Sequence, residues 1–192
     1  MSIPLIFFVL STCCVFSNMK INFNDIAYTI LGIIYVPVML LFLSLTWHMN
    51  KGYLLIWFIF CGAWLTDVFA YLVGVTMGKH KFSKISPNKS IEGCIGGILG
   101  SALFYGIYSH YLNCNFIVEF NGIEFNVVLM TVIGAFISVI SQIGDFVASA
   151  MKRSSGLKDF GSIMPGHGGV LDRFDSILMI SPFVFALFEF FI

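Results

Sequence analysis

The stretch from Tyr53 to Gly74 reads YLLIWFIFCGAWLTDVFAYLVG, 22 residues in which Asp67 is the single charged side chain. About 20 largely apolar residues are what a helix needs to cross the hydrocarbon layer of a bilayer, so this run predicts a membrane-spanning helix. Ile26 to Trp47, Cys94 to Leu112 and Phe125 to Ile143 repeat the pattern, and two shorter apolar runs, Ile3 to Phe16 and Ser176 to Ile192, close the ends. The expected fold is all-α: a polytopic transmembrane helical bundle of about six membrane helices. Composition agrees, because the 192 residues are 58% hydrophobic and only 10% charged, against roughly 25% charged in soluble domains. No Pro/Ser/Gly-rich or low-complexity stretch divides the chain, so residues 1–192 are expected to form a single transmembrane domain, with its motif-rich part at 62–176.

Ten Lys and Arg balance ten Asp and Glu, so total charge offers no attraction to nucleic acid and none is expected as a partner. Distribution is more informative. Lys79, Lys81, Lys84 and Lys89 fall between the third and fourth apolar runs, and Lys152, Arg153, Lys158 and Arg173 between the fifth and sixth. The intervening segment, Asn113 to Glu124, holds Glu119 and Glu124 and no cation. Lys and Arg in short loops mark the cytoplasmic side, so both cationic loops are expected to face the cytoplasm and to meet there, at a plasma (inner) membrane of bacterial type. The five cysteines show no metal-binding or redox spacing. No cation precedes the first apolar run, so a cleaved signal peptide is not expected.

Polar residues inside the apolar runs need a reason. An acid at a helix centre costs about 2.5–3.5 kcal/mol on insertion scales, so Asp67 needs compensation. At helical spacing it shares a face with Tyr71, Gly74 and Gly78, where small residues let another helix approach. A hydrogen-bonded packing acid and a ligand-facing acid both fit, the second better. In the fifth run Ser138, Ser141, Asp145, Ser149 and Lys152 recur at intervals of three or four, a stripe that must face protein or a wet cavity. Serines bonding back to their own helix would explain the serines but would leave Asp145 without a partner.

The densest chemistry follows: Lys152-Arg153, Lys158-Asp159, Pro165-Gly166-His167-Gly168-Gly169 and Asp172-Arg173-Phe174-Asp175. Glycines on both sides of His167 allow main-chain N–H groups to come close to an anion. His167 fits a general base, a phosphate donor or a turn residue. Asp172 and Asp175, three apart at a helix start, could hold Mg²⁺, an ion that prefers oxygen ligands and shares its shell with phosphate; helix capping by one of them is the plainer alternative. In the first loop, Ser86-Pro87-Asn88-Lys89-Ser90 joins hydroxyls, a rigid turn and a cation, a set suited to phosphate contact. The remaining lysines there would equally serve topology or anionic head groups.

These blocks together resemble the integral-membrane phosphatidate cytidylyltransferases, or CDP-diacylglycerol synthases. The family signature S-x-x-G-D-x-x-x-S-x-x-K-R, a following K-D, and P-G-H-G-G-x-x-D-R-x-D is matched by Ser141 to Asp145, Ser149, Lys152-Arg153, Lys158-Asp159, Pro165 to Gly169 and Asp172 to Asp175. Thr66-Asp67 with Ala70-Tyr71 is similar to the family's D-x-x-A-Y block, and Ser86 to Gly93 to its S-P-x-K-T-x-E-G loop, with Ser90 in place of Thr. Val75 stands in a stretch where the family commonly has Arg. The likeness runs from about Asp25 onward. Family members are generally longer at the N-terminus, so the resemblance implies that this chain lacks leading helices.

The implied reaction joins CTP and phosphatidate to give CDP-diacylglycerol and pyrophosphate in phospholipid biosynthesis. The resemblance implies that Asp145 and Asp172, with Asp175, hold one or two Mg²⁺ ions. It implies further that Lys152, Arg153, Arg173 and Lys89 neutralise phosphate charge, that Asp67 orients these groups or completes the metal shell, and that His167 joins the catalytic set. Ser86, Ser90, Lys158, Asp159, Gly166, Gly168 and Gly169 are expected on the substrates. A membrane ion transporter and an inactive shortened member of the family are the competing expectations. The Gly96-Gly97-x-x-Gly100 cluster would allow close packing within one chain or between two, so a homodimer stays among the expected partners.

Overall fold

The computed structural model describes residues 3–17, 20, 22–82, 86, 89–115, 119–120, 123–124, 126–162 and 168–190. Among these, α1 is Ile3–Phe16, α2 Phe23–His48, α3 Gly52–Met77, α4 Ile91–Asn115, α5 Val127–Ser154 and α6 Leu171–Phe190. The chain is an all-α polytopic helical bundle. Helices α2, α3, α5 and the Ile91–Leu112 part of α4 are long and apolar enough to cross a membrane. Many large apolar side chains, such as Phe8, Tyr28, Trp57 and Leu99, point outward, as a lipid solvent requires. Beyond the sequence expectation, Glu119–Phe120 and Ile123–Glu124 pair as short antiparallel strands between α4 and α5.

Local chemistry sets the helix ends. The Asn22 N–H donates to the Asp25 carboxylate at 2.8 Å at the start of α2, Asn126 Oδ1 accepts the Val128 N–H at 2.9 Å ahead of α5, and Ser90 Oγ accepts the Gly93 N–H at 3.1 Å ahead of α4; each satisfies an N–H that the helix itself leaves open. Only three residues, Met49 to Lys51, separate the ends of α2 and α3, and Gly52 makes that turn possible: a Cβ there would strike the carbonyls of Thr46 and Trp47. Helix α5 ends through Gly156 in the left-handed region (φ 69°), which lets the Leu157 N–H return to the Lys152 carbonyl at 2.8 Å. Helix α2 carries a wide π turn at Ile34–Val38 around Pro37; proline has no N–H to give the ladder, and the looser turn absorbs the break.

Helix α4 packs between α3 and α5, α6 packs on α5, α2 and α3, and α1 lies on α2. The core joins Phe58 and Ile59 of α3, Tyr105 of α4, Ile133 and Ile137 of α5, and Ile177, Val184 and Phe188 of α6. Tyr105 is fully buried, stacks on Phe58 with ring centroids 5.1 Å apart, and donates its hydroxyl to the Phe58 carbonyl. Its ring lies so close to Gly134 that a Cβ there would come within 2.7 Å of it. The Gly96, Gly97 and Gly100 cluster packs inside the chain, against Val73, Thr66, Ala70 and Phe69 of α3.

Candidate functional site

The first cationic loop is fastened before α4 by short backbone pairing. The Phe82 N–H donates to the Lys89 carbonyl at 3.0 Å and the Ile91 N–H to that of His80 at 2.9 Å, while the Glu92 carboxylate meets His80 Nδ1 at 2.7 Å. Phe82 stacks on Phe146 of α5, centroids 4.7 Å apart. Lys89 thereby lies 4.9 Å from the Phe146 ring centroid and forms an ion pair with Asp145. The stripe on α5 therefore divides. Ser138 and Ser141 are fully buried, in protein rather than on an open cavity, whereas Asp145 meets the loop.

Asp145 is the meeting point of the bundle. Besides Lys89 it accepts the Ser176 hydroxyl of α6 at 2.8 Å, and that hydroxyl is also 3.2 Å from the Ser141 carbonyl. Asp175, one residue earlier on α6, is within hydrogen-bonding reach of Asp145 and also interacts electrostatically with Asp67 of α3. Asp67 in turn interacts with Asp145, Lys89 and Arg173. The opposite charges that act on Asp67 thus come from two separate segments. A cleft of about 480 Å³ opens on this centre between α3, α4 and the first loop, lined by Asp67, Tyr71, Lys81, Lys89, Ser90 and Gln142 among others. Gly74 and Gly93 let α3 and α4 come together beside it: a Cβ on Gly93 would lie 3.2 Å from the Gly74 Cα.

Asp172 belongs to a second cluster. Its Oδ1 receives Lys152 Nζ at 2.6 Å, and its Oδ2 accepts the N–H groups of Phe160 and Gly169, each at 2.9 Å. Lys152 Nζ lies 5.3 Å from the centroid of the Phe160 ring. The lysine and aspartate side chains are only 13% and 9% exposed. Gly168, at φ 81°, sits where a Cβ would come within 3.0 Å of the Asp172 carboxylate. In this arrangement Lys152 and the loop N–H groups engage the oxygens of Asp172, and the Gly169 N–H is directed at Asp172.

The other expected residues separate. Arg153 is exposed and donates to the Leu157 carbonyl at 3.4 Å, near the end of its own helix. Lys158 and Asp159 are exposed in the loop after α5. The Ser86 carbonyl accepts the Lys89 N–H at 3.2 Å, a turn that helps to place that lysine. Gly166 and His167 lie outside the described residues, as do Lys84, Pro87 and Asn88. Sequence reasoning missed Tyr35 of α2, which is buried and interacts electrostatically with Asp175, Asp145 and Asp172; the proline two residues later was the available signal. It also missed Phe146, which holds Lys89 in place.

The donor set at Asp145 suits a hard divalent cation. Asp145 and Asp175 present carboxylate oxygens to one another with Asp67 nearby, and the buried Ser141 hydroxyl has no hydrogen-bond partner among the described residues. Like charges this close are relieved by a bound cation of the Mg²⁺ type. Among the described residues, no group of three or more acidic, His or Cys side chains is placed to hold a metal ion, so solvent or a phosphate ligand would have to supply most of the shell.

An apolar helical bundle whose acids and cations gather in two clusters, drawn from α3, α5, the start of α6 and the first loop, defines an integral-membrane protein with a charged site. Comparison with known proteins then supplies its family. A profile of the cytidylyltransferase family matches residues 1–191, and the chain belongs to that family. It is 39% identical over 176 residues to the phosphatidate cytidylyltransferases of Staphylococcus haemolyticus, Staphylococcus saprophyticus and Staphylococcus aureus, an alignment that covers 91% of this chain and 64% of each relative. The chain thus spans about two-thirds of the length of these curated relatives, 64%.

Proposed function

We propose that this chain carries out nucleotidyl transfer from CTP to phosphatidate, giving CDP-diacylglycerol and pyrophosphate. The observation that carries the reading is the meeting of Asp67, Asp145 and Asp175 with Lys89 and Arg173 beside a cleft that Lys81, Lys89 and Ser90 help to line, in a chain of the cytidylyltransferase family. A phosphate oxygen of the lipid attacks the α-phosphorus of CTP, the bond to the β-phosphate oxygen breaks, and pyrophosphate leaves with that electron pair. The lipid phosphate is already ionised near neutral pH, so no protein nucleophile is required. The barrier lies in bringing anions together and in the charge on the leaving group.

Lys89 and Arg173 answer that barrier by neutralising phosphate charge, and the Ser90 hydroxyl lines the same cleft. Asp145 and Asp175 would hold Mg²⁺, with Asp67 completing the negative set. Bound there, the ion would withdraw charge from phosphate oxygens. Asp172 and Lys152 act differently in this reading: they clasp the glycine loop to the start of α6 and so keep Arg173 and Asp175 in position. The two cationic loops face the cytoplasm, where CTP is found, and the Glu119–Phe120 and Ile123–Glu124 ladder lies on the opposite side.

The test is direct. Purified chain in nanodiscs containing phosphatidate should release pyrophosphate from CTP and form CDP-diacylglycerol only when lipid, CTP and Mg²⁺ are all present. Release that is indifferent to phosphatidate, or absent with every component supplied, would overturn the assignment.

A further inference from the structure

Gln142 of α5 is 7% exposed, and that remainder opens on the cleft between α3 and α4. Its Nε2 donates to the Cys94 carbonyl at 3.1 Å and lies 3.4 Å from the Ser138 hydroxyl. A carbonyl only accepts, so the nitrogen of the amide must face Cys94 and the oxygen must face away from it. Among the described residues nothing donates to Oε1, and it is not sealed inside protein as the Ser141 hydroxyl is. Packing holds this orientation: a Cβ on Gly97 would lie 3.3 Å from Nε2, so α4 closes over that side of the amide. Gln142 thus turns a fixed, unpartnered acceptor into the cleft.

The cleft is uneven in charge. Lys81, Lys89 and Ser90 line its loop end, where the phosphates of a nucleotide find their cations. Gln142 lies three residues deeper along α5 than Asp145, and Cys94 four residues into α4 from Ser90, about one helical turn in each case. Ala70 joins them on the wall there, and none of the three carries a positive charge. That end suits the uncharged base of a nucleotide better than its phosphates. The volume of about 480 Å³ is in the range of small-molecule sites.

We propose that Gln142 Oε1 accepts a hydrogen bond from the exocyclic 4-amino group of cytosine and so selects CTP over the uracil nucleotide. The proposal rests on the transfer reaction above and adds to it the residue that reads the base. Uracil carries a carbonyl oxygen where cytosine carries the amino group, so Oε1 would meet another acceptor. The amide cannot turn over to correct this, because its oxygen would then face the Cys94 carbonyl. A buried acceptor opposite a group that cannot donate loses its bond outright, and a site built around a hydrogen bond strongly rejects the analogue that lacks it.

The experiment measures pyrophosphate release by the full chain in phosphatidate nanodiscs with Mg²⁺. It compares CTP, UTP and the 2-pyrimidinone ribonucleoside triphosphate, which is CTP without its amino group. Wild type should lose about 10- to 100-fold in kcat/KM from CTP to either analogue. Gln142→Met keeps the length of the side chain and removes the acceptor. It should lose about that factor with CTP and change by less than about threefold with the pyrimidinone, so that the preference for the amino group disappears. A side chain that only supports the fold would lower all three nucleotides alike. That result, a preference in Gln142→Met equal to that of wild type, or wild-type indifference to the amino group would each overturn the proposal. If Gln142→Met does not assemble, wild type decides with 5-azido-CTP. Irradiation should attach it to peptides holding Cys94 or Gln142, with CTP protecting better than UTP; adducts confined to the first loop or to α6 would overturn the proposal. Labelling at Cys94 or Gln142 without pyrophosphate release would sink the transfer reading alone, and release from CTP with a base preference that Gln142→Met leaves intact would sink this one alone.

Discussion

Replacing Asp172 by Asn separates a loop clasp from a metal ligand, because the two roles predict different kinetics. Asp172 accepts one bond from the Lys152 ammonium at 2.6 Å and two from backbone N–H groups at 2.9 Å. An amide oxygen can still take both N–H groups, but its NH₂ then faces the ammonium, donor against donor, so the ionic bond is lost. A hydrogen bond to a charged group contributes about 1.5–3 kcal/mol, and the low exposure of this pair removes the solvent screening that makes surface pairs weak. If that free energy holds Arg173 and Asp175 in register, kcat should fall by about 10- to 150-fold, at about 1.4 kcal/mol per factor of ten. The assay is pyrophosphate release from CTP over a Mg²⁺ titration. Asp172→Asn should leave the half-saturating Mg²⁺ concentration within about twofold of wild type, whereas Asp175→Asn should raise it at least about tenfold, an order of magnitude usual for groups that hold or orient a metal. A shift in Asp172→Asn equal to that in Asp175→Asn would refute the clasp and return Asp172 to the metal.

Lys89→Ala should cost at least about 100-fold in kcat/KM for CTP, since it strips Asp145 of its cation and leaves buried acids unpaired; Lys81→Ala, a wall residue of the same cleft, should cost less than about tenfold, and equal losses would reduce the loop to a topology signal. Gly62→Ala drives a methyl into Ile137 and to 2.7 Å from the Tyr105 hydroxyl, so thermal unfolding in detergent should show a loss of about 1–3 kcal/mol, with an unchanged midpoint as the contrary result. In a variant without native cysteines, a membrane-impermeant maleimide applied to intact cells should label Asn126→Cys and spare Ser155→Cys; the reverse pattern would invert the orientation.

The helices were legible because a bilayer demands about 20 apolar residues at a time, and the runs at Tyr53 to Gly74 and Ile26 to Trp47 meet that demand on composition alone. Asp67 and Asp145 stood out for the same reason, as charges the membrane penalises. Their partners did not. Lys89 reaches Asp145 across 56 positions of chain, and the pairing follows from a backbone fold around Phe82 and Phe146 that leaves no periodicity to read. The glycine loop was open to two readings, phosphate cradle or turn, and which one holds for Gly169 depends on where its N–H points, a matter of tertiary geometry. Tyr35 was hidden by its surroundings: in an apolar run a tyrosine reads as one more large side chain, and its nearness to the acids follows only from the packing of α2 on α6.

Asp145 draws its partners from Lys89, ahead of α4, and from Ser176, on α6, while Asp172 on α6 finds Lys152 at the end of α5. A chain threading into the membrane from its N-terminus therefore carries Asp67 and Asp145 into position before the helix that completes their surroundings has emerged from the ribosome. Until α6 docks, Asp145 has Lys89 but not Ser176, Asp67 lacks the nearby Arg173, and the charged centre is incomplete. Docking of the last helix is thus the step that completes the centre.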